Sequence, residues 1–146
     1  RMEFAEAPRC IAVAKRRLVV GLRDRVLLCD LDGETQAETK RLAKGAALTS
    51  LAVAEDGTIF AADGLHGVSQ KVQHIITNPP FHTGIKTDYT ITKRFISDAK
   101  KQLTSKGTLQ MVANRFLPYP GLLAEEFSTV YTKAQTSQFS IYDASL

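Results

Sequence analysis

The sequence predicts a mixed α/β fold, α+β in the way strands and helices segregate, in which a short sheet-and-helix unit is completed by β-hairpins from a β-rich N-terminal segment. Three observations predict it. An apolar run from His74 to Thr77 is halted by Asn78-Pro79-Pro80, the pattern of a buried strand with a rigid exit. Between Thr87 and Leu103 the residues Ile91, Phe95, Ala99 and Leu103 recur every four positions, with Lys93, Arg94, Lys100 and Lys101 off that stripe, as in an amphipathic helix. In the first half, Cys10-Ile11-Ala12-Val13-Ala14 returns forty residues later as Ser50-Leu51-Ala52-Val53-Ala54, each copy followed by a polar corner and a second apolar run.

The chain has 146 residues, 44% of them hydrophobic, enough for one ordinary domain or two very small ones with a buried core. The patterns divide it at residues 67 and 68, and the two parts are expected to share one core. No apolar run approaches the ~20 residues of a membrane helix, and no signal-peptide pattern is visible. Its opening, Arg1-Met2-Glu3-Phe4, points to an engineered or processed start. Cys10 and Cys29 lack CxxC or metal-finger spacing and read as reduced, buried thiols, which implies a cytoplasmic, reducing compartment. His66 and His74 have no second ligand at metal spacing, so no metal site is expected. Up to Gln70 the chain carries ten basic and ten acidic side chains; from Lys71 onward it carries nine against five. The whole excess of +4 therefore lies in the second half, as suits either an anionic partner such as RNA or a solvated basic face.

In the first half, Leu18–Gly21 and Arg25–Asp30 follow as strands, with a turn at Asp32-Gly33. Thr35–Lys44 is polar and fits a loop, an outer strand or a short helix. Thr58–Ala62 closes the second copy of the repeat. A repeat of about forty residues with Asp-Gly corners is similar to a β-propeller blade, so residues 1 to 66 resemble about one and a half blades; a small β-meander with a chance repeat is the other reading. One and a half blades cannot bury their faces by propeller packing, so these strands are expected to lean on the second half.

In the second half, the helix from Thr87 has Thr87 or Asp88 as N-cap and Gly107 beyond its end, and its stripe is expected in the core. Thr108–Asn114 is the next strand, Asn114–Pro120 a loop stiffened by Pro118 and Pro120, and Leu122–Phe127 a short helix. Val130–Ala134 and Phe139–Tyr142 close the chain as an antiparallel pair.

The stretch Asn78-Pro79-Pro80-Phe81 carries the chemistry. Proline lacks an N–H and fixes φ, so the backbone leaving the strand is stiff and its carbonyls point outward. The Asn78 amide both accepts and donates, and Phe81 adds a flat face. Together they make an acceptor cup beside a stacking surface, suited to a planar base with an exocyclic amine.

Asn78-Pro79-Pro80-Phe81-His82, followed by Val112-Ala113-Asn114-Arg115-Phe116-Leu117-Pro118-Tyr119-Pro120, resembles the guanine-N2 methyltransferases of ribosomal RNA, over residues 68 to 146 or from Phe60. The resemblance implies a partial Rossmann-like sheet, S-adenosylmethionine as cofactor and RNA as partner. It also implies that Asn78 and Pro79 accept the hydrogens of a guanine amine, that Pro80 stiffens the loop and that Phe81 stacks on the base. By the same resemblance His82 contacts substrate or braces the loop, and Asp63 lies beside the cofactor's adenine, although Asp63-Gly64 also reads as an ordinary turn pair. Arg115, after the second motif strand, fits a phosphate contact or a surface or carboxylate-paired arginine, and Tyr119 fits added stacking surface or packing of its loop.

What the family uses to seat its cofactor, a glycine-rich strand-to-helix turn, has no counterpart here: no GxGxG occurs, and the early glycines lie in hairpin or loop contexts. Asp30 or Asp32 can imitate the ribose-binding acid but reads more simply as a turn carboxylate. The expectation is a methyltransferase fragment joined to a propeller-like segment in a recombined or artificial chimera, without independent activity, and able to form a homo-oligomer by strand exchange. An active guanine-N2 methyltransferase and a non-catalytic β-rich interaction module are the alternatives.

Overall fold

Short runs of branched aliphatic residues between polar corners make the first strands. β1 (Cys10–Ala14), β2 (Arg17–Gly21), β3 (Val26–Cys29) and β4 (Thr35–Glu38) form an antiparallel meander in chain order. The computed structural model describes residues 10–14, 17–22, 25–30, 34–39, 48–56, 58–62, 64–79 and 89–146. β4 settles the reading of Thr35 onward as an outer strand, exposed along its whole length. The β3–β4 corner is closed by Asp30, whose carboxylate accepts the Glu34 N–H (2.9 Å) and the Gln36 amide (2.9 Å). That is the turn role expected of it rather than a ribose-binding one; Asp32 lies outside the described residues.

β5 (Ser50–Val53) and β6 (Ile59–Ala62) form the next hairpin, its corner held by the Thr58 N–H on the Asp56 carboxylate at 2.8 Å. This hairpin leaves the meander for a second sheet. β5 pairs antiparallel with β7 (Val72–Thr77), setting Ser50 opposite Thr77, Leu51 opposite Ile76 and Ala52 opposite Ile75. From β7 the chain crosses through α1 (Thr90–Gln102) to β8 (Leu103–Asn114), which lies parallel to β7, as a helical crossover requires. After α2 (Tyr119–Ala124), the hairpin β9 (Thr129–Gln135) and β10 (Phe139–Ser145) adds to β8 antiparallel through β10. The six-stranded order is β6-β5-β7-β8-β10-β9. This is the expected mixed α/β fold, a sheet with one parallel pair and a helical face whose edge an N-terminal hairpin completes.

Several second-half details differ from the expectation. The helix begins at Thr90, behind a Tyr89 N-cap that makes no side-chain bond; Thr87 and Asp88 lie outside the described residues. Gly107 is not its cap. Leu103 is already extended (φ −71, ψ 148) and the chain enters β8 directly, so Gly107 is buried inside that strand. A Cβ at Gly107 would stand 3.0 Å from both the Leu103 Cβ and the Thr104 carbonyl oxygen. Ile91, placed in the core stripe, is 58% exposed, while Ile96 and Ala99 are buried. The cause is geometric. A strict four-residue stripe rotates about 40° per step around a helix of 3.6 residues per turn, so its early end swings away from the sheet. α2 also starts earlier than Leu122, because Pro120 suits a first helical turn.

Alternation along each strand sorts the sheet's two faces. On one, Ala52, Val72, Ile75, Leu109, Met111 and Tyr142 pack under Ile96, Ala99 and Leu103 of the α1 region and Leu122 and Leu123 of α2. On the other, Leu51, Val53 and Ile76 meet Val19, Val26 and Leu28 of the meander. The meander thus serves as a third layer. Leu51 is fully buried between the two sheets. Leu51→Ala should cost about 2–5 kcal/mol in urea unfolding, whereas a loss below about 1 kcal/mol would mean that the sheets do not pack.

Candidate functional site

The parallel pair gives the sheet a carboxyl edge, where open α/β sheets place ligands. At this edge β7 is followed by Asn78, half-buried, and then by a buried Pro79. The Asn78 N–H donates to the Thr49 carbonyl at 3.1 Å. Beside it β8 ends in Asn114, which builds the next loop: its side-chain oxygen accepts the Phe116 N–H (3.1 Å) and its carbonyl accepts the Leu117 N–H (3.1 Å). The Arg115 N–H donates to the Gln138 carbonyl at 2.9 Å, tying that loop to the β9–β10 turn. Asn78 and Asn114, one from each sequence motif, therefore lie at one edge on neighbouring strands.

Beneath the edge sits a buried polar pair. Ser50 and Thr77, each 1% exposed, face one another with their hydroxyls 2.9 Å apart. The Thr77 hydroxyl also donates to the Thr49 carbonyl at 3.3 Å. In turn, the Thr49 hydroxyl accepts the Gly64 N–H at 2.8 Å.

Of the residues singled out in sequence, Asn78, Pro79 and Arg115 lie at this edge; Pro80, Phe81, His82 and Asp63 fall outside the described residues. Asp63's chain neighbours, Ala62 and Gly64, are both held by Thr49. Arg115 is exposed and meets no carboxylate among the described residues. Tyr119 is buried rather than exposed at the edge. It opens α2 at 3% exposure, burial pushing its phenol above the ordinary range against a hydrogen bond with Thr92 that lowers it. Among the described residues, the most exposed aromatic ring at the edge is Phe116, 80% exposed, with Phe139, 41% exposed, opposite Asn114; Phe116 becomes conspicuous only once the Asn114 turn is seen. The α1 cations are all matched: Lys93 pairs with Glu125 (2.9 Å) and Lys100 with Glu126 (3.2 Å), while Arg94 and Lys101 share Asp98.

A seat for S-adenosylmethionine needs backbone N–H groups at a strand-to-helix turn. Beside β7 the described residues offer something else. β5 runs antiparallel to it and turns into β6 rather than a helix. Among the described residues, no such turn stands beside β7 on the β5 side.

The sheet's back face carries a second polar group, unmarked in sequence. Asp143, 8% exposed, accepts hydrogen bonds from Gln110 (2.7 Å), Lys133 (3.0 Å) and Tyr131 (3.0 Å), cross-strand neighbours on either side. Burial alone would raise its carboxyl, but these three donors outweigh it and hold the carboxyl below the usual range. The same bonds hold the Lys133 ammonium and the Tyr131 phenol above theirs. Asp143 lines a cleft of about 300 Å³ with His74, Thr108 and Gln110, on the face opposite the helices.

A mixed sheet that ends its buried parallel strand in Asn-Pro-Pro is the framework of a methyltransferase-like domain. Residues 26–143 match the methyltransferase small domain, and the chain belongs to that family. It is 72% identical over 101 residues to the ribosomal RNA small subunit methyltransferase C of Alteromonas mediterranea, covering 67% of this chain and 28% of that protein. With the protein of the same name from Pseudomonas aeruginosa it shares 38% identity over 133 residues, 91% of this chain and 37% of the relative. A solved T. thermophilus 16S rRNA N2 methyltransferase in complex with AdoMet and guanosine aligns at 29% identity and a TM-score of 0.47, covering 57% of this chain and 22% of that one. The chain thus spans about a third of the length of the curated relatives it matches. The family match reaches back to Val26, well ahead of Phe60, where the motif resemblance began.

Because the folded Asp143 carboxyl lies below its ordinary value near 3.8, its ionised form contributes stability that is present above that value and lost as pH falls through the lower folded one. Unfolding free energy should therefore fall below about pH 4, and Asp143→Asn should flatten this acid limb; equal slopes in the two proteins would contradict the assignment.

Proposed function

We propose that this chain is the base-binding part of an S-adenosylmethionine-dependent ribosomal RNA guanine-N2 methyltransferase, and that it does not transfer methyl groups by itself. One observation carries the reading: an Asn-Pro-Pro-Phe stretch leaves the carboxyl end of a buried parallel strand, in a chain 72% identical over 101 residues to a small-subunit rRNA methyltransferase.

The chemistry follows from the residues. The Asn78 side-chain oxygen and the Pro79 carbonyl accept the two hydrogens of the guanine amine, which fixes the amine's orientation and localises its lone pair. Pro80 keeps these acceptors from turning inward, and Phe81 stacks on the base, a contact worth about 1–3 kcal/mol. His82 braces the loop and Arg115 meets a backbone phosphate. A base in a duplex cannot reach such an edge, so the target is single-stranded or flipped out. No general base is required, since a methylated amine sheds its proton to water.

The reading of inactivity rests on the strand beside β7. An antiparallel hairpin stands where a cofactor-holding turn and helix would have to start. The one feature that favours a recombined origin is that the four-stranded meander has the strand arrangement of one propeller blade; the family match nonetheless begins inside that meander, at Val26, and the Pseudomonas aeruginosa relative aligns with 91% of the chain.

Calorimetric titration tests this. Guanosine should bind in the ~1 mM range, Asn78→Ala should weaken it about tenfold, and S-adenosylmethionine at millimolar concentration should give no heat. Micromolar S-adenosylmethionine binding with methyl transfer to RNA would make the chain a working enzyme. Guanosine affinity unchanged by Asn78→Ala would remove the base site.

A further inference from the structure

We propose that Thr49 is a positioning residue for the Asn78 acceptor, fixing the exit of the motif strand to the turn at Gly64 so that the two segments move as one. The inference rests on the base-binding reading above and adds a residue to it that lies outside both sequence motifs.

Asn78 stands one residue past β7, and Pro79 and Pro80 have no N–H. The Asn78 N–H is therefore the last backbone donor on this strand before residue 81, and it is the bond that orients the residue carrying the amide. Its acceptor is the Thr49 carbonyl, at 3.1 Å. That carbonyl also takes the Thr77 hydroxyl hydrogen at 3.3 Å. With the Thr77 hydrogen so committed, the buried Ser50–Thr77 bond must run from the Ser50 hydroxyl to the Thr77 oxygen. A chain of donors thus ends on Thr49 from inside the core.

The other groups of Thr49 point the opposite way along the edge. Its N–H donates to the Ala62 carbonyl at 3.1 Å, holding the end of β6. Its hydroxyl accepts the Gly64 N–H at 2.8 Å, where the backbone has φ +63, a conformation that only glycine adopts at no steric cost. A β-branched side chain is stiff at χ1, so the hydroxyl is held where the Gly64 N–H needs it. N–H, carbonyl and hydroxyl of one residue thus bind three segments: the end of β6, the turn at Gly64 and the exit of β7. Valine at this position would keep shape and carbonyl but leave the Gly64 donor without its acceptor, which is how the coupling can be cut.

The test is amide hydrogen exchange by NMR on the whole chain, with guanosine titration beside it. In the wild type, the Gly64 and Asn78 amides should open with the same free energy across a low-urea series; separate openings would overturn the proposal without any variant. Thr49→Val should speed Gly64 exchange about fivefold or more, and Asn78 exchange with it although its own acceptor is intact, while amides in the centre of β8 keep their protection. Guanosine affinity should fall severalfold, and Thr49→Ser should restore both protection and affinity. Loss of protection at Gly64 alone would reduce Thr49 to a turn cap and overturn the inference, as would equal losses throughout β7 and β8. Correlated exchange without guanosine binding by any of the proteins would remove the base-binding reading and leave the coupling standing. Guanosine binding that Thr49→Val does not change would do the reverse.

Discussion

The antiparallel pairing of β5 with β7 is the interaction the rest of the structure depends on. β7 is covered on both faces toward its carboxyl end, with Ile75 buried under the helices and Ile76 partly buried under the meander. A strand in that position cannot leave a row of N–H and carbonyl groups unpaired along its edge. β5 closes that edge, and its direction has two consequences. Its beginning lies at the Asn78 end, so the residue just ahead of it supplies the acceptor that Asn78 needs. It also occupies the ground where a parallel strand, a tight turn and a helix would have to start in order to hold a cofactor. One pairing accounts for both the support of the Asn78 edge and the lack of a strand-to-helix turn beside β7 on the β5 side among the described residues.

Energetically the fold is two apolar interfaces around one sheet. The helical interface is built from the α1 and α2 faces and is further tied by the Lys93–Glu125 and Lys100–Glu126 pairs, whose exposed partners contribute little each. The interface with the meander is smaller and purely aliphatic. Where the meander stops, the back face changes character, and Asp143 with its three donors takes over from Leu51 and Ile76.

Much of this was legible because strand patterning is local. β1, β2, β3, β5, β6, β9 and β10 all lie where alternation and corner residues put them. The α1–β8 junction was not, because Thr104, Ser105 and Lys106 are polar and Gly107 looks like a cap. Parallel pairing drew them into β8 nonetheless, with an irregular register opposite Val72 and His74. Tertiary pairing of this kind routinely overrides local preference. In the site, Asn78 was legible from two prolines and a stacking residue. Thr49, Phe116 and Asp143 were not, since each acquires its meaning from a cross-strand partner or a turn that only register reveals. Tyr119 between prolines reads as loop; its burial comes from α1, distant in sequence.

The most direct test of the account is to cut the chain between Gly67 and Val68 with an inserted protease site and follow the two pieces. If β5 completes the sheet that β7 begins, the pieces will stay associated after cleavage and melt in a single transition, and neither will fold when purified alone. Two pieces that separate and each keep a cooperative melting transition would contradict the account.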